Sequence, residues 1–167
     1  MPEHLFFTNE DEKRLLYELS QMSNPNHLRL TKLALTTGFR RSELLSLTWR
    51  NIDLKKKLLY MYRKNCAAID NSSGLRLVPL PENAQKIIEE LDEKNGKVIE
   101  LTKGAARNGF DKARKKAGLE TLRFHDLRHI AISRMWSSGM NALEISACSG
   151  HRDIKMLMRY SHYQLSF

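Results

Sequence analysis

Apolar residues recur every three to four positions through most of this chain, the spacing of amphipathic helices laid on a core. Leu15, Leu16, Leu19 and Met22 share one face of the first such segment. It opens at Thr8-Asn9-Glu10-Asp11, a capping box with Asp where Glu or Gln is usual. Asn24-Pro25-Asn26 breaks the pattern. A second helix carries Leu28, Leu33, Ala34 and Leu35 and is predicted to stop at Gly38, which suits a left-handed C-cap. A short helix over Ser42–Leu47 follows, anchored by Leu44, Leu45 and Leu47, so Arg40 falls between two helix ends and can point into a cleft.

The pattern then changes period. Leu58–Arg63 and Leu75–Leu80 read as strands, and Asn65–Gly74 between them, with its turn-forming Asp70-Asn71-Ser72-Ser73-Gly74, reads as a hairpin loop. Pro81 starts a helix with Ala84, Ile87, Ile88 and Leu91 inward, and Val98–Leu101 reads as a short third strand. Helices are predicted over Lys103–Ala117, His125–Ser138, Asn141–Ser149 and Asp153–Tyr160, with Gly118 and Gly139 ending the first two. No repeat, low-complexity stretch or linker interrupts the series. The expected architecture is mainly α with a small antiparallel β-sheet at one edge, an α+β fold in one domain over residues 1–167.

A formal charge of +9 points to a polyanionic partner. Aromatic residues do not interleave with the basic ones as in a single-strand stacking platform, which favours duplex binding through phosphates. Lys32, Arg107, Lys112, Arg114, Lys115 and Arg123 are candidate backbone contacts, although a solvated basic face is the ordinary reading of any one of them. Cys66 and Cys148 lack metal spacing and fit a reduced compartment. There is no apolar run of membrane-spanning length and no signal pattern, so a cytoplasmic protein with no membrane association is expected.

Candidate chemistry concentrates in three blocks. Thr37-Gly38-Phe39-Arg40-Arg41-Ser42-Glu43-Leu44 carries arginines, His125-Asp126-Leu127-Arg128-His129 carries both an arginine and histidines, and Gly150-His151 precedes Tyr160. This set suits attack on a phosphodiester. Guanidinium forks match two non-bridging oxygens and meet the charge that develops on them. Imidazoles move or share protons near neutrality. A phenol is a nucleophile, and with an ordinary pKa near 10 it needs cationic neighbours or a base. His125 and His129 are four apart on a predicted helix, but Asp126-Leu127-Arg128 lies between them, so the glutamate of a zinc HExxH site is missing and a cation would contend with the metal; no metal and no cofactor is expected. His129 and His162 read as solvated or core histidines, with support of the reacting groups as the alternative.

These blocks, with Trp49-Arg50-Asn51-Ile52-Asp53 after the first and Tyr160-Ser161-His162 closing the third, resemble the catalytic domain of the tyrosine recombinases, the family of phage integrases and Xer-type resolvases. The likeness runs from about Thr8 to His162. It implies a helical catalytic domain that cleaves and rejoins DNA through a 3′-phosphotyrosyl intermediate. Arg40 and Arg128 would clamp the phosphate, His125 would assist proton movement at the nucleophile, His151 would stabilise the transition state, and Tyr160 would attack. Glu43 matches a family carboxylate that orients the site. The family also uses a lysine on the sheet hairpin as acid for the departing 5′-oxygen. Counting back from Arg76-Leu77-Val78-Pro79-Leu80 puts that lysine on Asn71, whereas counting forward from Asn51-Ile52-Asp53 ends the strand near Lys64; Lys64 is taken here, Lys57 lying too early on the strand, and the alternative is that the lysine is absent and cleavage slow. Two departures fall in the third block, Ser149 for the usual leucine and Leu157 for a common threonine.

The resemblance further implies double-stranded DNA as partner, a monomer alone and a synaptic tetramer on DNA. Relatives carry an N-terminal DNA-binding domain; nothing before Thr8 can serve as one, so the chain is expected to be a fragment or a truncated protein. Rival readings are a type IB topoisomerase-like relaxing enzyme and a catalytically silent DNA-binding module with the same fold.

Overall fold

Helix α1 (Asn9–Ser20) begins at a closed capping box: Thr8 Oγ1 accepts from Asp11 N–H at 3.1 Å, while the Asp11 carboxylate accepts from Thr8 N–H at 2.8 Å. Its Leu15 and Leu19 are buried, with Leu16 and Met22 at the margin of the core. The computed structural model describes residues 7–62, 75–91, 95–151 and 153–161. Helix α2 (Asn26–Thr37) buries Leu30, Leu33, Ala34 and Leu35 and ends at Gly38, whose φ of +66° is the left-handed cap expected from sequence. The short α3 (Arg41–Ser46) follows at once, with Arg40 as its N-cap residue.

The sheet is antiparallel in the order β1 (Ile52–Asp53), β2 (Leu58–Tyr62), β3 (Leu75–Pro79), with Leu59 opposite both Ile52 and Val78. Its third strand is therefore Ile52–Asp53. The Val98–Leu101 segment makes an isolated rung instead: Lys97 bridges Thr48, and Val98 N–H donates to Leu47 O at 3.0 Å. Val98 and Ile99 are buried as plugs, and the chain turns away into α5 (Lys103–Lys116), which Thr102 caps. Before it, α4 (Glu82–Glu89) buries Ala84 and Ile88.

Helix α6 (Asp126–Ser137) is the centre of the domain. Leu127, Ile130, Ala131, Ile132, Met135 and Trp136 are buried around most of its circumference, as a helix surrounded by others requires. Asp126 fixes its start, accepting from the Arg123 backbone N–H at 2.8 Å and the Arg123 side chain at 2.9 Å. Helix α7 (Ala142–Ser149) starts at a second capping box, Asn141 with Glu144, and ends at the left-handed Gly150. The predicted last helix is shorter than Asp153–Tyr160: α8 spans Lys155–Met158, with Leu157 buried, and Tyr160 lies in the turn after it and is buried too. Among the described residues, no helix is long and apolar enough to cross a membrane.

Candidate active site

The α2–α3 corner, the start of α6 and the α7–α8 turn meet at one cleft of about 790 Å³, lined by Arg40, Glu43, Arg76, His125, Arg128, His129, His151 and Tyr160 among others. Blocks separated by more than 80 residues of sequence thus converge. Arg40, His125, Arg128, His151 and Tyr160 are all on this surface, as the sequence reading required. Lys64 lies outside the described residues.

Arg128 is the best-held group. It is buried, and its Nη1 donates to Gly38 O at 2.6 Å and Ser149 O at 2.8 Å, two helix-end carbonyls that lack helical partners. Its Nη2 reaches the His151 ring, 3.1 Å from Nδ1 and 3.3 Å from Nε2. Burial, then the nearby Arg40 charge, brings its pKa down to about 10, so it stays cationic at neutral pH. Arg40 sits differently, half exposed at the mouth, with its guanidinium 3.7 Å from Glu43 Oε1. Glu43 also accepts from the Arg40 backbone N–H at 2.9 Å and lies 3.5 Å from Arg76 Nη2. A single carboxylate thus holds the helix start and two arginines together.

The histidines are kept neutral. Burial first, then the Arg128 and Arg40 charges, takes His151 down to about 4. Burial and then Arg128 also lower His125, against an opposing pull from Asp126. Ser146 Oγ donates to His151 O at 2.7 Å and fixes the backbone there.

Two residues that the sequence reading passed over belong to the site. His129 Nδ1 is hydrogen-bonded to the Tyr160 hydroxyl, and the two rings lie nearly parallel with centroids 5.9 Å apart. The His125 ring meets His129 edge-on at 5.1 Å, so the imidazole against the phenol is His129 and His125 stands one ring further out. The i, i+4 spacing of the two histidines was the available signal. Arg76, on β3, packs its guanidinium over the Phe39 ring at 5.4 Å and beneath Gly150, where a Cβ would lie 1.4 Å from Nη1. No local pattern announces that role.

A second groove of about 410 Å³ shares Arg40, His125 and Arg128 and continues through Arg41, Arg107, Arg114 and Arg123; Lys32, Lys112 and Lys115 line neither cavity. Arg114 is engaged with Asp111 at 2.8 Å and with Glu120 O, which makes it more a strut than an open contact.

With this geometry in hand, the likeness to known proteins is specific. The sequence pattern of the phage integrase family matches residues 6–166. The shufflon-specific DNA recombinase of Escherichia coli is 35% identical over 160 residues, covering 93% of this chain and 39% of that protein. The integrase of Escherichia phage 186 is 31% identical, covering 96% of this chain and 45% of that protein. The chain therefore spans less than half the length of these relatives. The solved catalytic domain of bacteriophage HP1 integrase superposes with a TM-score of 0.75 at 27% identity, over 95% of this chain and 87% of that one. Mainly helical, with a three-stranded antiparallel sheet and the architecture of a tyrosine recombinase catalytic domain, the chain belongs to the phage integrase family.

Proposed function

We propose that this domain is the catalytic unit of a tyrosine-type site-specific recombinase that cleaves and rejoins double-stranded DNA. The observation that carries the proposal is the convergence of the Arg40 and Arg128 guanidinium groups, the His125 and His151 imidazoles and the Tyr160 phenol on one cleft. Arg40 and Arg128 would hold the two non-bridging oxygens of the scissile phosphate and meet the charge of the transition state. Tyr160 Oη attacks phosphorus, its proton passing to an imidazole, of which His129 is already at the hydroxyl. The bond from phosphorus to the 5′-oxygen breaks, leaving a 3′-phosphotyrosyl link and a 5′-oxygen that must gain a proton. Lys64 is the candidate for that proton. Because the phosphoester bond energy is kept, a second strand's 5′-hydroxyl can reverse the step without ATP.

The shufflon-specific DNA recombinase among the relatives supports DNA as the substrate, as does the chain's charge of +9. We expect a cytoplasmic protein, monomeric alone and tetrameric on paired sites, in which a separate DNA-binding domain completes the grip.

The test is a nicked suicide duplex carrying sequence that flanks the gene, which traps the covalent step. Wild type should give a detergent-resistant protein–DNA adduct, and Tyr160→Phe none. An adduct that persists in Tyr160→Phe overturns the assignment of the nucleophile, and no adduct from wild type overturns the reaction.

A further inference from the structure

We propose that Ser149 is a positioning residue that decides which nitrogen of His151 carries the proton. Ser149 closes α7 and is fully buried. Its hydroxyl has two partners at the same distance, Ile145 O at 2.7 Å and His151 Nδ1 at 2.7 Å. A hydroxyl has one proton to donate, and a carbonyl can only accept. If both contacts are hydrogen bonds, Oγ–H donates to Ile145 O and Nδ1–H donates to Oγ. Nε2 is then the bare nitrogen, while Arg128 Nη2 sits beside both ring nitrogens, 3.1 Å from Nδ1 and 3.3 Å from Nε2.

The opposite tautomer creates a conflict. With Nδ1 bare, the Ser149 hydroxyl proton has to turn to it at 2.7 Å. Ile145 O then loses the hydroxyl. Ser149 is fully buried, so no water replaces the lost bond, and a polar group left unmatched there is costly. Ser149 thus serves both neighbours: its carbonyl holds Arg128 at 2.8 Å, and its hydroxyl orders His151.

The consequence for catalysis rests on the strand-transfer reading above, whereas the tautomer rests on hydrogen-bond geometry alone. A neutral His151 offers an incoming phosphate no N–H, because Nδ1–H points back into the domain. It presents a lone pair at Nε2, and becomes a donor to the phosphate only after gaining a proton there. The Nδ1–H to Ser149 bond survives that gain unchanged.

Long-range ¹H–¹⁵N NMR at neutral pH reads the tautomer directly, with the His151 signals assigned by their loss in His151→Gln. Wild type should show Nδ1 protonated and Nε2 bare; Ser149→Ala should raise the Nε2–H form several-fold, and Ser149→Thr, which keeps the hydroxyl, should restore the wild-type pattern. A dominant Nε2–H form in wild type, or an unchanged tautomer in Ser149→Ala, overturns the proposal; if Ser149→Ala does not fold, the wild-type spectrum decides. In the suicide-duplex assay Ser149→Ala should form the adduct roughly tenfold more slowly, the effect of one misplaced hydrogen bond, with recovery in Ser149→Thr. Equal rates overturn the catalytic consequence. Nδ1–H in wild type together with no adduct would sink the strand-transfer reading and leave the tautomer assignment standing.

Discussion

Arg128 and Arg40 face the same cleft and are held in opposite ways. Arg128 is only 3% exposed and is tied to two backbone carbonyls and an imidazole across three elements. The Arg40 side chain is 49% exposed and stands at a helix start beside one carboxylate. Arg128 is thus part of the fold's own framework, whereas Arg40 stands at the mouth of the cleft. One half of the proposed phosphate clamp, Arg128, is preorganised by the packing that holds the domain together; the other, Arg40, is open to solvent.

That contrast breaks most visibly at Arg128. Arg128→Met leaves the Gly38 and Ser149 carbonyls without its donors in a dry interior, and should lower stability by about 3 kcal/mol as well as abolish adduct formation. Urea unfolding measures it, and wild-type stability in the variant would contradict the framework role. Gly150→Ala strikes the same framework from its other side. A side chain at φ +74° is strained, and its Cβ would displace the Arg76 guanidinium; a loss of about 1–2 kcal/mol is expected from the backbone conformation alone. Unchanged melting would contradict the strain at this position, and a loss well beyond it would show that Arg76 cannot yield.

Acid sharpens the comparison without a mutation. His151 falls from 6.5 to about 4 in the fold, and His125 is shifted in the same direction, both chiefly by burial and then by Arg128. The unfolded chain therefore takes up protons that the fold refuses. The stability these neutral rings contribute is fully present above pH 6.5 and is lost as pH falls from there through about 4. Melting temperature should drop across that window, and His151→Gln should flatten the slope; a slope of the opposite sign contradicts the burial account.

The smallest effect on stability is expected at Arg40. Arg40→Ala keeps the backbone N–H bond to Glu43 and should unfold within about 0.5 kcal/mol of wild type, yet lose the adduct. Stability and activity separate at Arg40 and move together at Arg128.

The parts legible in the sequence were those that short segments fix by themselves. The Thr8 capping box, the Gly38 stop, the leucine anchors of α3 and the three blocks each need only a few neighbouring residues to be read. The β1 strand was missed because two residues show no alternation, and Val98-Ile99 looked like a strand because a buried apolar plug has the same composition. His129 and Arg76 were missed for a deeper reason. His129 gains its meaning from Tyr160, 31 positions on, and Arg76 from Phe39, Glu43 and Gly150, which reach it only through the fold.

The central claim is that the cleft's arginines and histidines surround a phosphate within reach of one phenol. Peptide mapping of the trapped protein–DNA adduct by mass spectrometry tests it most directly. The account predicts a 3′-phosphate ester on Tyr160 and on no other residue. Attachment at any other side chain, or a DNA linkage through the 5′ end, would contradict it.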